Sequence, residues 1–98
     1  MQITTDAQIL PLAGMREGNR YLIVVTGVTS ALHLEFQHVN GGAWYDYAAQ
    51  DATVFAAPGA AVVYADVICP VPRMRLRLDS TQETEWTATW VRQIYGTF

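Results

Sequence analysis

The feature that most restricts what this chain can fold into is a hydrophobic period of two. Leu32, Leu34 and Phe36 alternate with His33, Glu35 and Gln37, the mark of a half-buried strand, because successive side chains leave a strand on opposite faces. Asn40-Gly41-Gly42 follows, and these residues tolerate the positive φ that a tight hairpin demands. The chain then returns as Ala43-Trp44-Tyr45-Asp46-Tyr47. A second alternation sets Met74, Leu76 and Leu78 against Arg73, Arg75 and Arg77. The polar run Asp79-Ser80-Thr81-Gln82-Glu83 leads from it into Thr84 to Ile94, rich in threonine and tryptophan, so a second hairpin is expected there.

The remaining segments obey the same period. Arg20 to Val28 is apolar on both faces, with Tyr21, Ile23 and Val25 on one side and Leu22, Val24 and Val28 on the other. Such a strand suits a sandwich whose outer face meets another subunit. A short strand is expected at Val54 to Ala57 before the turn dipeptide Pro58-Gly59. A longer one runs over Ala60 to Cys69, stopped by Pro70 and Pro72, and an N-terminal one near Gln8 to Leu12 places Pro11 at a sheet edge. Ala48 to Ala52 suits one helical turn or a loop equally well. About eight short strands, with turn signals roughly every 8–12 residues, define an all-β chain folded as an antiparallel β-sandwich or barrel. At 98 residues it makes a single domain, 1–98.

Composition limits the function. There is no lysine, and the six basic residues are Arg16, Arg20, Arg73, Arg75, Arg77 and Arg92. Charged residues make up 15% of a chain that is 51% hydrophobic, against a usual charged share of about 25%. Protein interfaces are depleted in lysine and enriched in arginine and aromatics, so this composition points to a subunit of an assembly. A net charge of −3 argues against nucleic-acid binding, which needs a basic surface. The lone Cys69 lies in an apolar run and reads as a buried small hydrophobe, in keeping with a reducing cytosol or a particle assembled there. Only Cys69, His33 and His38 offer nitrogen or sulfur to zinc, too few for a site. His33 and His38 are five apart and leave their strand on opposite faces. The opening MQITTDAQ has neither a positive nor an apolar region of an export signal, and no apolar run is long enough for a membrane helix.

Three constellations are candidates for function. Arg73, Arg75 and Arg77 project from one strand face about 7 Å apart. Two readings stay open: a solvated ladder balanced by Glu83 and Glu85 across the expected hairpin, or a docking strip for an acidic partner, which the planar guanidinium fork suits. Charge reversal of all three is expected to weaken attachment without unfolding the chain. Trp86, Ala88 and Trp90 share a face that reads as core, with Trp44 nearby. The exposed-ring alternative is a sugar-stacking platform of Trp44, Tyr45 and Tyr47. No nucleophile elbow, phosphate loop or paired carboxylate cleft is present, so the chain reads as no enzyme, with no catalytic, metal or cofactor residues.

The layout resembles that of the small β-sandwich proteins encoded among the structural genes of tailed bacteriophages. The resemblance is carried by Gly18-Asn19-Arg20-Tyr21 leading into an apolar strand, by the stretch Leu32 to Trp44, by Pro72 to Leu78 and by Trp90 to Ile94. It carries over no functional residue. It implies a jelly-roll-like fold, a homo-oligomer (trimer or dimer), and a head decoration (cement) protein that bridges major capsid proteins on the virion surface after assembly in the host cytoplasm. The alternative is a carbohydrate-binding or host-recognition module of a head fibre or tail tip. On this reading the partner-binding residues are Arg73, Arg75, Arg77, Tyr21, Trp44, Tyr45 and Phe98. The ends, Met1 to Asp6 and Tyr95 to Phe98, are expected to be flexible and to become ordered on neighbours.

Overall fold

A computed structural model of the chain describes residues 1–47 and 62–93. Among the described residues there are eight strands: β1 (Gln2–Thr5), β2 (Ile9–Pro11), β3 (Arg20–Thr26), β4 (Leu32–Gln37), β5 (Trp44–Asp46), β6 (Val62–Ile68), β7 (Met74–Leu78) and β8 (Trp86–Arg92). They form two four-stranded antiparallel sheets, ordered β1-β8-β3-β6 and β2-β7-β4-β5. The first strand pairs with the eighth, the second with the seventh, the third with the sixth and the fourth with the fifth. This nesting is that of a rolled-up double hairpin, a jelly roll. Two further ladders, β3 with β8 and β4 with β7, knit the pairs into sheets.

The period of two does the sorting. Tyr21, Ile23 and Val25 on β3, Val63, Ala65 and Val67 on β6, and Trp86, Ala88 and Trp90 on β8 enter the core from one sheet. Leu10, Leu32, Leu34, Met74, Leu76 and Leu78 enter it from the other. Burying one large aliphatic side chain contributes about 1.5–3 kcal/mol, so interdigitation of these two layers dominates the stability. Cys69 lies among them, 1% exposed. Burial pushes its thiol up, and its Sγ–H donates to the Val71 carbonyl at 3.0 Å, the setting of an inert thiol.

The β4–β5 hairpin forms as expected, pairing Glu35 with Asp46 and Gln37 with Trp44 around a turn whose Gly41 has φ +82°. The second expected hairpin does not. β7 and β8 lie in different sheets, and residues 79–85 cross from one layer to the other. The reason lies in the side chains. Met74, Leu76 and Leu78 and the triad Trp86, Ala88 and Trp90 are both inner faces, and the two layers are about 10 Å apart. The seven-residue connection contains no tight two-residue turn signal. A second correction concerns the N-terminus, which is strand and not a flexible tail. β1 pairs with β8 along its length, Ile3 packs against the core, and the Trp90 amide donates to the Met1 carbonyl at 2.9 Å. The expected helical turn at 48–52, the strand at 54–57 and the segment Tyr95 to Phe98 lie outside the described residues.

Val28, expected on the same side as Leu22 and Val24, is buried, whereas those two are half-buried. Gly27 explains this. Its φ of +86° breaks the alternation after β3, and a Cβ there would meet the Glu85 carbonyl oxygen at 3.0 Å and the Trp86 Cα at 3.3 Å. Gly27→Ala is expected to destabilise by about 1–2 kcal/mol from the left-handed backbone alone, seen as a lower urea midpoint with an unchanged slope. An unshifted midpoint would refute the assigned turn.

Candidate interaction faces

The sandwich offers two outer faces of opposite character. On the β2-β7-β4-β5 sheet, Arg75 and Arg77 of β7 stand beside Glu35 and His33 of β4, with Glu35 opposite Arg75 and His33 opposite Arg77 in the ladder. Ile9 and Pro11 flank them on β2, and Trp44 and Asp46 flank them on β5. Glu35 is the centre of the array. Its two carboxylate oxygens accept from Arg75 Nε at 2.8 Å and Arg77 Nε at 3.0 Å, and the arginine stems leave it only 6% exposed. Burial pushes its carboxyl up, but the two hydrogen bonds and the two positive charges outweigh that, and the net shift is downward.

The neighbouring groups extend the array. The Arg75 guanidinium lies over the Trp44 ring, 4.1 Å from its centroid, a cation–π contact. Arg73 donates to the Gln37 carbonyl at 3.0 Å and the His38 carbonyl at 2.7 Å. The Gln37 side-chain Nε2–H donates to the Gly42 carbonyl at 2.7 Å, closing the hairpin turn. The His33 Nε2–H donates to Asp79, which also lies 3.8 Å from Arg77. The ladder is therefore answered from within its own sheet. Glu83 and Glu85, expected to balance it, lie exposed in the crossover instead, because the sheet neighbours of β7 are β4 and β2.

The other proposed contact residues divide. Tyr21 is 5% exposed and its hydroxyl accepts from the Arg16 amide at 2.7 Å. It is a core residue, which corrects its assignment to a partner. Trp44 sits on the outer face under Arg75, away from Trp86 and Trp90, which corrects its placement near the core. Tyr45 is 53% exposed, its ring tilted against Phe36 with centroids 5.9 Å apart. Tyr47 packs on the core and its hydroxyl accepts from the Ile68 amide at 3.2 Å. Phe98 lies outside the described residues.

The outer face of the β1-β8-β3-β6 sheet is largely apolar along β6 and β3 and polar along β8 and β1, where it carries Thr87, Thr89, Gln2 and Thr4. Val62, Tyr64 and Ile68 of β6 and Val91 of β8 are 54%, 69%, 55% and 47% exposed. Half-buried Leu22 and Val24 lie between them, Leu22 opposite both Asp66 and Val91, and Val24 opposite Tyr64. Arg20 and Asp66 form an ion pair on this face. The two-sided apolar character of β3 was legible in the sequence, whereas the exposed row on β6 was not singled out. Its signal is there: in Val62 to Ile68 both alternating phases carry large apolar residues.

No protein-family model matches the chain, and no curated protein or solved structure is significantly similar to it.

Proposed function

We propose that this chain is a structural component of a tailed-bacteriophage virion, a decoration protein that binds the outer surface of the head and bridges major capsid proteins. The observation that carries this reading is the exposed apolar row of β6 (Val62, Tyr64 and Ile68), with Leu22, Val24 and Val91 beside it. An isolated small protein rarely presents a contiguous apolar patch of that kind, and such patches mark surfaces that other proteins cover. The jelly roll, the absence of lysine and the resemblance in layout support the same reading. Many weak contacts repeated over a shell would stabilise it collectively.

Of the three rings of the carbohydrate-binding alternative, only Tyr45 is more than half exposed, at 53%. One face of Trp44 lies against Arg75, and the Tyr47 hydroxyl is engaged by the Ile68 amide. Cosedimentation tests the proposal. Purified chain mixed with undecorated heads of its own phage is expected to pellet at a fixed number of copies per capsomer and to delay their thermal disruption. Chain that stays in the supernatant overturns the assignment.

A further inference from the structure

We infer that the chain docks end-on, through the basic end of its sandwich, onto an acidic protein surface. The inference deepens the decoration reading, on which it rests for the identity of that surface, and names the part of the chain that makes the contact. It comes from where the strand topology puts the charges. One end of the sandwich is made by residues 6–8, 27–31 and 79–85, since β1 ends opposite the start of β8 and β4 starts opposite the end of β7. Asp6, Glu83 and Glu85 are exposed there, and none has an ionic partner among the described residues. Asp79, at the same end, is held by His33. The other end is made by residues 12–19, 38–43 and 69–73 and by the last residues of β8. It carries Arg16, Arg73 and Arg92, with Glu17 as its single carboxylate among the described residues.

Tyr21 brings two of these arginines together. The Arg16 amide donates to its hydroxyl at 2.7 Å, and Arg92 lies opposite it in the β3–β8 ladder. Both arginines are exposed, and neither guanidinium meets a carboxylate among the described residues. Arg73 adds a third positive charge, its donors turned to the carbonyls of Gln37 and His38 and not to an acid. Elsewhere Arg20 is paired with Asp66, and Arg75 and Arg77 with Glu35. The two broad faces are thus balanced within themselves, whereas the two ends are charged and of opposite sign. A seven-residue strand such as β3 holds the ends about 20 Å apart, more than twice the screening length of about 8 Å at physiological salt. A partner at the basic end therefore meets positive charge, although the whole chain carries −3. Arginine without a counter-ion grips carboxylates bidentately. Glu17 selects between polyanions. A nucleic acid presents a charge about every 1.7 Å and would set phosphates against Glu17 in any register. Discrete carboxylates on a folded protein can meet Arg16 and Arg92 and leave Glu17 in water.

The test uses the whole chain and two probes, heads of its own phage and immobilised poly-L-glutamate. At low salt the wild type is expected to be retained on poly-L-glutamate in spite of its net charge, and the double variant Arg16→Glu with Arg92→Glu to pass unretained. The same variant should attach to heads about tenfold or more weakly, with the difference narrowing as salt rises towards about 1 M. Its thermal midpoint should stay unchanged, because both side chains are exposed. Glu83→Arg with Glu85→Arg, at the opposite end, should leave both readouts at least at wild-type strength. An Arg16→Glu, Arg92→Glu chain that coats heads as well as wild type overturns the end-on contact and leaves the decoration reading intact. Retention on poly-L-glutamate that this variant abolishes, in a chain that ignores heads, supports the basic end as the docking surface and removes the decoration reading. A wild type that poly-L-glutamate does not retain overturns the inference. So does attachment lost only in the Glu83→Arg, Glu85→Arg variant, which assigns the contact to the acidic end, and so does tighter binding to a DNA duplex than to poly-L-glutamate. Salt-sensitive self-association that both double variants abolish assigns the basic end to a second copy, and overturns it as well.

Discussion

Replacing Arg75 and Arg77 together by methionine, which keeps the aliphatic stems that cover Glu35, is expected to destabilise the fold by about 3–5 kcal/mol, because it leaves the Glu35 carboxylate buried without a counter-charge. Glu35 side chain is 8% exposed and the two guanidinium Nε atoms are its charged partners. Removing Arg75 also takes away the cation–π contact with Trp44, worth about 0.5–1 kcal/mol at a partly exposed site. The pH dependence identifies the cause. In the wild type the folded Glu35 carboxyl lies below its ordinary value of 4.5. Its stabilising contribution is therefore fully present above that value, and is lost as the pH falls through the lowered folded value. In the double variant only burial remains, which pushes the carboxyl up, so stability should instead fall as the pH rises through the ordinary carboxylate range. Urea midpoints taken between about pH 3 and pH 7 would show the reversal. Adding Glu35→Gln to the double variant should restore much of the loss at neutral pH. No recovery would mean that Glu35 is not the group left unanswered.

The same contacts revise what a charge reversal of Arg73, Arg75 and Arg77 can report. Three carboxylates set against Glu35 and the carbonyls of Gln37 and His38 would strain the fold itself, so lost attachment in that variant would not identify a docking strip. Variants on the exposed apolar face, such as Tyr64→Arg, avoid this, since Tyr64 has no part in the core.

Much of this architecture was legible along the chain, and the failures have a common cause. Alternation reports which phase of a strand faces the core, and on that basis the inward sets of β4, β7 and β8 are readable. It is silent on which strand lies beside which. Met74 to Leu78 and Trp86 to Trp90 read as neighbours because they are consecutive and joined by polar residues. Two inner faces joined by a seven-residue connection can equally face one another across a core, and that is the arrangement found. The expected partners of the arginines follow from this one step. Glu83 and Glu85 face the arginines only in a β7–β8 hairpin, and β7 and β8 lie in different sheets. Glu35, forty residues before Arg75 in sequence, was seen as a solvent-facing residue of its own strand. β1 escaped notice because Gln2-Ile3-Thr4-Thr5 holds one large apolar residue, and its strand character comes from pairing with β8. The apolar outer row of β6 was hidden by the opposite effect, since a run apolar in both phases does not announce which phase stays exposed.

Two of the three tryptophans, Trp86 and Trp44, separate these levels in one experiment. Trp86→Ala is expected to cost about 3–5 kcal/mol, the usual range for emptying a buried aromatic site. Trp86 is 1% exposed and wedged between the two sheets, and its indole N–H donates to the Ala7 carbonyl at 2.8 Å. Ala7 lies on the segment that carries the chain from β1 to β2, so Trp86 ties the first sheet crossing to β8 as well as filling the core. Trp90 does the same further along, through the Ala13 carbonyl at 2.9 Å. Trp44→Ala removes a ring from the outer face, where its main partner is the Arg75 guanidinium, and should cost only about 1 kcal/mol. Trp86→Phe keeps most of the apolar volume but not the donor, so its loss should fall between the other two, with faster amide exchange in residues 6–8. Urea denaturation of the three variants ranks them directly. A domain of ordinary stability, about 5–15 kcal/mol, survives the first change only in part. If Trp44→Ala proved as damaging as Trp86→Ala, Trp44 would belong in the core beside the other two, and both the two-sheet division and the placement of Arg75 over its ring would be wrong.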